Sequence, residues 1–167
     1  MSEITDNRQL KIRQANEGDV ALIMRFVRAI AEFENLSDHV VSTEDSLRKH
    51  LFRERPYAEA VIAELGKEPA GFAMFFHNFS SFLGRPGLYI EDIYVYPEYR
   101  SNGIGRALMK HCAQVALERD CIRMEWSSLD WNPARRFYEH LGAQGHAEWI
   151  MYRLEGRNLS ELADERE

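Results

Sequence analysis

Apolar and polar positions alternate over the segment Leu10–Gln14, the pattern of a half-buried strand. The period then changes. Val20, Ile23, Val27 and Ile30 recur at 3-4-3 spacing, which predicts a helix running to about Glu34. Asn16 stands before it as an N-cap, and Asp19, three residues on, completes an approximate capping box. A second helix is expected to start at Ser42 or Thr43 and to turn Leu47 and Leu51 inward. Residues 60–65 and 70–76 read as two strands joined by the hairpin loop Gly66-Lys67-Glu68-Pro69, and residues 83–87 read as a loop. Residues 88–96 form a strongly β-prone strand that ends at Pro97, which has no N–H to donate to a ladder. Ile104, Leu108, Cys112 and Val115 share one face of a helix from about 104 to 119, and residues 121–127 read as a strand. Asn132-Pro133 pairs a cap with a first-turn proline, and Gly142 stops the helix they open. A last strand is expected over residues 146–154, with a polar tail from Gly156 onward.

The resulting order is β-α-α-β-β-β-α-β-α-β, an α/β chain with a mixed sheet. Strands joined by tight loops must be antiparallel, whereas the strand-helix-strand unit over residues 88–127 is expected to be parallel. No repeat or linker interrupts residues 9–167, so one domain is expected there, preceded by a loose, polar N-terminus over residues 1–8.

Composition narrows the function. The 167 residues are 45% hydrophobic and 29% charged, an ordinary globular balance. Acidic residues outnumber basic ones, 27 to 21, for a net charge of −6. That balance speaks against nucleic acid as a partner and is compatible with a cationic substrate. Cys112 and Cys121 lack metal-ligand spacing and are expected to be free thiols in a reducing compartment. The six histidines show no ligand pattern, so no metal is expected. No apolar run approaches a membrane span, and Met1 to Arg8 lacks a signal-peptide core, so a cytoplasmic location is expected.

The richest segment is Arg100-Ser101-Asn102-Gly103-Ile104-Gly105, set between a strand and a helix start. Glycines let backbone N–H groups converge, the helix start adds unpaired donors, and Arg100 can add a fixed charge. Together they suit a pyrophosphate. A P-loop fits less well because Arg106 and Ala107 follow Gly105 where Lys and Ser or Thr would be needed, and a dinucleotide fingerprint would need glycine where Leu108 stands.

Arg-x-x-Gly-x-Gly between a strand and a long helix resembles the acetyl-CoA motif of the GNAT superfamily of N-acetyltransferases. The later stretch Asp130-Trp131-Asn132-Pro133-Ala134-Arg135-Arg136-Phe137-Tyr138-Glu139-His140-Leu141-Gly142-Ala143 resembles that superfamily's second motif. The phrases Ala31-Glu32-Phe33-Glu34, Gly71-Phe72-Ala73-Met74, Tyr89-Ile90-Glu91-Asp92-Ile93-Tyr94-Val95 and Leu129-Asp130-Trp131-Asn132 resemble the diamine acetyltransferase branch, and still more its thialysine-acetylating relatives.

The resemblance implies an acetyl-CoA-dependent enzyme transferring acetyl directly to a small cationic amine in a ternary complex. It gives Tyr138 the role of general acid to the departing thiolate and Glu91 that of general base acting through ordered water. Asp92 would help bind the amine. Adjacent strand residues face opposite sides of a sheet, so Glu91 and Asp92 can both serve only where the strand splays or bulges. Main-chain groups of Ile93 and Val95 would hold the pantetheine arm, the Ile93 N–H polarising the acetyl carbonyl. Ser101, Asn102, Gly103, Ile104, Gly105 and Arg106 would cradle the pyrophosphate beside Arg100. Asn132 is most simply a helix cap, with a cofactor contact as its alternative. Phe33, Glu34, Glu148 and Trp149 would line the amine pocket by charge pairing and cation–π attraction, and a homodimer is implied.

One departure bears on the substrate. Polyamine-acetylating members carry an acid and a tryptophan in the loop that here reads Ser80-Ser81-Phe82-Leu83-Gly84-Arg85. A shorter amine or a thialysine-like amino acid is therefore expected over spermine. Acetylation of a protein lysine or N-terminus, or non-catalytic acyl-CoA binding, are the alternative functions.

Overall fold

The computed structural model describes residues 9–164. The chain divides after Ser127 into two compact units.

The first unit is built on a five-stranded sheet in the order β1-β2-β3-β4-β5. Its elements are β1 (Leu10–Gln14), α1 (Val20–Phe33), α2 (Glu44–Leu51), β2 (Glu59–Leu65), β3 (Glu68–Ser80), β4 (Arg85–Val95), α3 (Ile104–Glu118) and β5 (Met124–Glu125). Strands β1 to β4 pair antiparallel, and β5 joins β4 in parallel. The expected mixed sheet with one parallel unit is what forms.

Local chemistry sets the helix starts where the sequence placed them. The Asn16 side chain accepts from the N–H of Gly18, and Asp19 Oδ2 accepts from the Asn16 N–H at 2.8 Å, a capping box that closes the short 3-10 turn Glu17–Asp19 leading into α1. Asp19 also takes a two-pronged pair from Arg13, at 2.7 and 2.9 Å, and this holds its carboxyl below the usual range. Thr43 caps α2, accepting from the N–H of Ser46.

The sheet carries a helix on each face. Phe26 of α1 stacks on Phe72 at 4.8 Å and on Tyr96 at 4.8 Å. A Cβ built on Gly71, which faces the opposite side from Phe72, would lie 3.4 Å from Ile104 of α3. The same Cβ would meet the Tyr94 carbonyl oxygen at 2.7 Å, so glycine here is what lets β3 approach β4 beside the site. Gly71→Ala is expected to cost about 1–3 kcal/mol, since close packing must give way. Denaturant unfolding checks it, and a variant as stable as wild type would contradict the close approach.

Two strands run longer than expected. The hairpin of β3 and β4 zips to Ser80↔Arg85, so residues 85–87, read as loop, are strand. Pairing along β3 overrides the loop signal of Pro86 and Gly87. Strand β5 is shorter than the expected 121–127 and pairs only as Leu88↔Met124 and Tyr89↔Glu125.

The second unit holds α4 (Ala134–His140) and α5 (Gly156–Asp164). The strand expected over residues 146–154 does not form; those residues have no helix or strand. The described residues of this unit contain no strand, so the apolar run Trp149–Tyr152 finds no ladder within it. Residues from Gly156, read only as a polar tail, form α5 instead. The expected loose segment 1–8 lies outside the described residues.

Candidate active site

The site begins with an irregularity in β4. Asp92 opposes Met74 and Ile90 opposes Phe75, so Glu91 is an extra residue with no partner, a β-bulge. Its effect on the main chain can be followed from two hydrogen bonds. The Leu88 N–H points toward the β5 side, donating to the Arg123 carbonyl at 3.0 Å. The Tyr96 N–H points the other way, to Ala70 of β3 at 3.0 Å. Alternation from Tyr96 turns the main-chain groups of Val95 and Ile93 away from β3. Even-numbered residues face the β5 side before the bulge and odd-numbered ones after it. Within the described residues of the first unit, pairing of β4 on that side stops at Tyr89, so the edge carrying Ile93 and Val95 has no strand beside it. The Tyr89 hydroxyl, 2.8 Å from Ser127 Oγ, ties the end of β5 where the two strands part.

The bulge also brings consecutive carboxylates within electrostatic reach. Glu91 is exposed and Asp92 is half-buried. Burial, with the negative charges of Glu91 and Glu34 added, pushes the Asp92 carboxyl up to about 6. Glu34 stands at the end of α1, where Asn35 takes a left-handed φ of 58°. Leu36 N–H donates to Ala31 and Asn35 N–H to Glu32, a Schellman ending that fixes the Glu34 backbone. Burial raises the Glu34 carboxyl as well. Three carboxylates thus share the region where α1 ends over β4.

Phe33 precedes Glu34. The Arg100 guanidinium lies 5.4 Å from its ring centroid and 5.6 Å from that of Tyr94. Arg100 Nε donates to the Val95 carbonyl at 3.0 Å. Tyr94 was not singled out in the sequence. Its signal was its place two residues after Asp92, on the same strand face.

The turn after β4 has a left-handed backbone at Ser101 (φ 65°) and at Gly103 (φ 73°), the residue before α3. No side chain caps the start of α3, so its first N–H groups face outward with the positive end of the helix dipole. Asn102 turns inward: its Nδ2 donates to the carbonyls of Tyr99 and Arg100 at 3.1 and 3.2 Å, stiffening the turn. Arg106 is exposed in the first turn of α3, next to Gly105, while Ile104 is buried. An uncapped helix start beside an unpaired strand edge fits a pyrophosphate joined to an amide-bearing arm.

In the second unit, Asn132 Oδ1 accepts from the Ala134 N–H at 2.9 Å, the capping role. Tyr138 is half-buried in α4, its ring 5.5 Å from that of Phe137. Its carbonyl accepts from the Ala143 N–H at 3.1 Å where the helix ends. Glu148 Oε1 lies 2.9 Å from His146 Nδ1, and this partner lowers the Glu148 carboxyl. Trp149 is 77% exposed.

The loop expected to repel a polycation holds Arg85 at its end. Arg85 is paired with Asp120, through the side chain and, from Nε, the Asp120 carbonyl, so its charge is largely answered.

The Acetyltransferase (GNAT) family pattern matches residues 25–143, and the chain belongs to that family. It is an N-acetyltransferase that draws its acetyl group from acetyl-CoA. The chain is 40% identical over 164 residues to a thialysine N-epsilon-acetyltransferase of Bos taurus, covering 91% of this chain and 96% of that protein. It is 31% identical to an L-ornithine N5-acetyltransferase of Arabidopsis thaliana, covering 91% and 87%. Among solved structures, an integron cassette protein from the mobile metagenome of V. cholerae superposes with a TM-score of 0.76 at 27% identity, covering 93% of this chain and 98% of that one.

Proposed function

We propose that this enzyme acetylates the side-chain amine of a small cationic amino acid of the thialysine or ornithine type, by direct transfer in a ternary complex. The observation that carries the reading is the bulge at Glu91, which places a cluster of carboxylates beside the unpaired edge of β4. An ammonium is drawn to Asp92, Glu91 and Glu34; the resemblance adds Phe33, Glu148 and Trp149 to the residues that bind the amine. The likeness to a thialysine N-epsilon-acetyltransferase and to an L-ornithine N5-acetyltransferase supports an amino-acid substrate over a long polyamine.

Acetyl-CoA supplies an activated thioester. Its arm is assigned to the Ile93 and Val95 main chain and its pyrophosphate to the turn from Ser101 to Arg106. The side chain of Arg100, which the sequence adds to that cradle, is engaged instead with Phe33, Tyr94 and the Val95 carbonyl, and Asn132 serves as the cap of α4. The Ile93 N–H polarises the acetyl carbonyl as charge develops. An alkylammonium holds its proton until about pH 10, so a base is required. The resemblance gives that task to Glu91 and amine binding to Asp92; the raised proton affinity of Asp92, nearer neutrality than an ordinary carboxylate, favours exchanging the two, with Asp92 as the base and Glu91 keeping the site negative. Tyr138 gives its phenolic proton to the departing sulfur. The exposed apolar side chains of Ile150, Met151 and Tyr152 support a homodimer, and the two buried free cysteines suit a reducing cytoplasm.

The test is thiol release from acetyl-CoA with thialysine, ornithine, putrescine, spermidine, spermine, an aminoglycoside and a lysine peptide. Thialysine or ornithine is expected to exceed spermine in kcat/KM by roughly tenfold or more, the worth of one unmatched charge contact. Turnover of the peptide alone would move the reading to a macromolecular substrate. Tight acetyl-CoA binding with no acceptor would move it to a binding module.

A further inference from the structure

Arg100 opens the cofactor turn, yet its side chain is engaged elsewhere. Its guanidinium lies over the rings of Phe33 and Tyr94, both inside the ~6 Å reach of a cation–π contact. Its Nε is spent on the Val95 carbonyl. Three elements therefore meet on one planar group: the end of α1, the end of β4 and the turn before α3.

Phe33 is bonded to Glu34, and Tyr94 lies two residues past Asp92 on one face of β4. Tyr94 and Tyr96 both pack on the cluster that includes Phe26 and Phe72, so this is the face toward α1. Anything that holds Phe33 and Tyr94 to one group also holds the Glu34 carboxylate near that of Asp92. The Glu34 charge does reach Asp92.

We propose that Arg100 is a positioning residue of the amine pocket, clamping Phe33 to Tyr94 so that the Glu34 and Asp92 carboxylates stand together to receive one ammonium. This deepens the reading above and rests on it for the identity of the ligand. A lysine could supply the charge but not a flat group that stacks on rings while donating a side-directed N–H. The clamp also makes amine binding depend on the residue that begins the cofactor turn.

Arg100→Ala and Arg100→Lys separate this role from that of a phosphate ligand. Arg100→Ala is expected to raise the amine KM about tenfold while kcat and the Kd for coenzyme A change less than about threefold. Arg100→Lys should not restore the KM. Carbon-13 NMR of the Asp92 carboxyl gives a readout independent of turnover. Release of Glu34 removes a like charge, so Asp92 should titrate at lower pH in Arg100→Ala than in wild type. Loss of a mere nearby cation would move it to higher pH.

A weaker Kd for coenzyme A by tenfold or more, with the amine KM unchanged, would overturn the proposal in favour of phosphate binding. An unmoved or raised Asp92 titration would overturn it equally. Phe33→Leu, which removes the clamped ring, should lower the Asp92 titration in the same direction and decides the matter if Arg100→Ala does not fold. If the wild-type enzyme acetylates no amine, the functional reading falls, and the Asp92 titration still decides what Arg100 positions.

Discussion

Asp92→Asn is expected to lower kcat/KM for the amine by about 10²–10⁴-fold, the usual worth of a positioned general base. In wild type the rate should climb with pH up to about 6, where Asp92 loses its proton, and then level off. The asparagine variant should lose that acid limb. Glu91→Gln should keep the limb but move it to lower pH, because a charge that raises Asp92 has been removed. If Glu91→Gln abolishes the limb and Asp92→Asn keeps it, the base is Glu91.

The same carboxyl makes a separate claim about stability. Its folded-state value is raised, while an unfolded aspartate titrates near pH 3.9. The folded protein therefore binds the proton more tightly, and folding takes one up between about pH 4 and 6. Stability contributed by this group is highest below about pH 4, falls as pH rises through that window, and stays low above it. Asp92→Asn should then melt at a higher temperature than wild type at pH 7.5 and lose that advantage at pH 4. Thermal melts at the two pH values check the sign. A variant less stable at both would show that Asp92 is held by favourable partners rather than crowded by like charges.

The parts of this site legible in the sequence were those written in local chemistry. Asn16 and Asn132 read as caps because a short polar side chain before an apolar period has few other uses, and each accepts a backbone N–H; of Ser42 and Thr43, the two starts open for α2, it is Thr43 that caps. The glycine turn was legible for the same reason, since positive φ at Gly103 is a backbone demand that only a few residues meet. The bulge was stated as the condition under which Glu91 and Asp92 could both serve, but its place could not be fixed. It is a matter of register against β3, and alternation within one strand carries no register. The Arg100 clamp was illegible because it joins residues 33, 94 and 100 across three elements. The last strand failed for a related cause. The β-prone run Trp149-Ile150-Met151-Tyr152 suits a strand by residue type, whereas a strand also needs a neighbour to bond with.

Tyr138→Phe is expected to reduce kcat by about 10²–10⁴-fold while the affinity for coenzyme A stays within about twofold of wild type. The argument is one of proton demand. An alkyl thiolate is a poor leaving group unless it is protonated as it departs, and a phenol near pKa 10 is a matched donor to it. Removing one hydroxyl leaves the ring to pack beside Phe137, so the fold should change by no more than about 1 kcal/mol. The helix ending that fixes the Tyr138 main chain, from the Ala143 N–H to its carbonyl, does not involve the hydroxyl. A drop in kcat alone would still admit a role in packing the substrates. The deciding measurement replaces acetyl-CoA with an acetyl thioester whose thiol is far more acidic, used at saturation. That leaving group needs no proton, so wild type and Tyr138→Phe should converge with it. A defect of the same size with both donors would remove the general-acid role and leave Tyr138 as a residue that shapes the site.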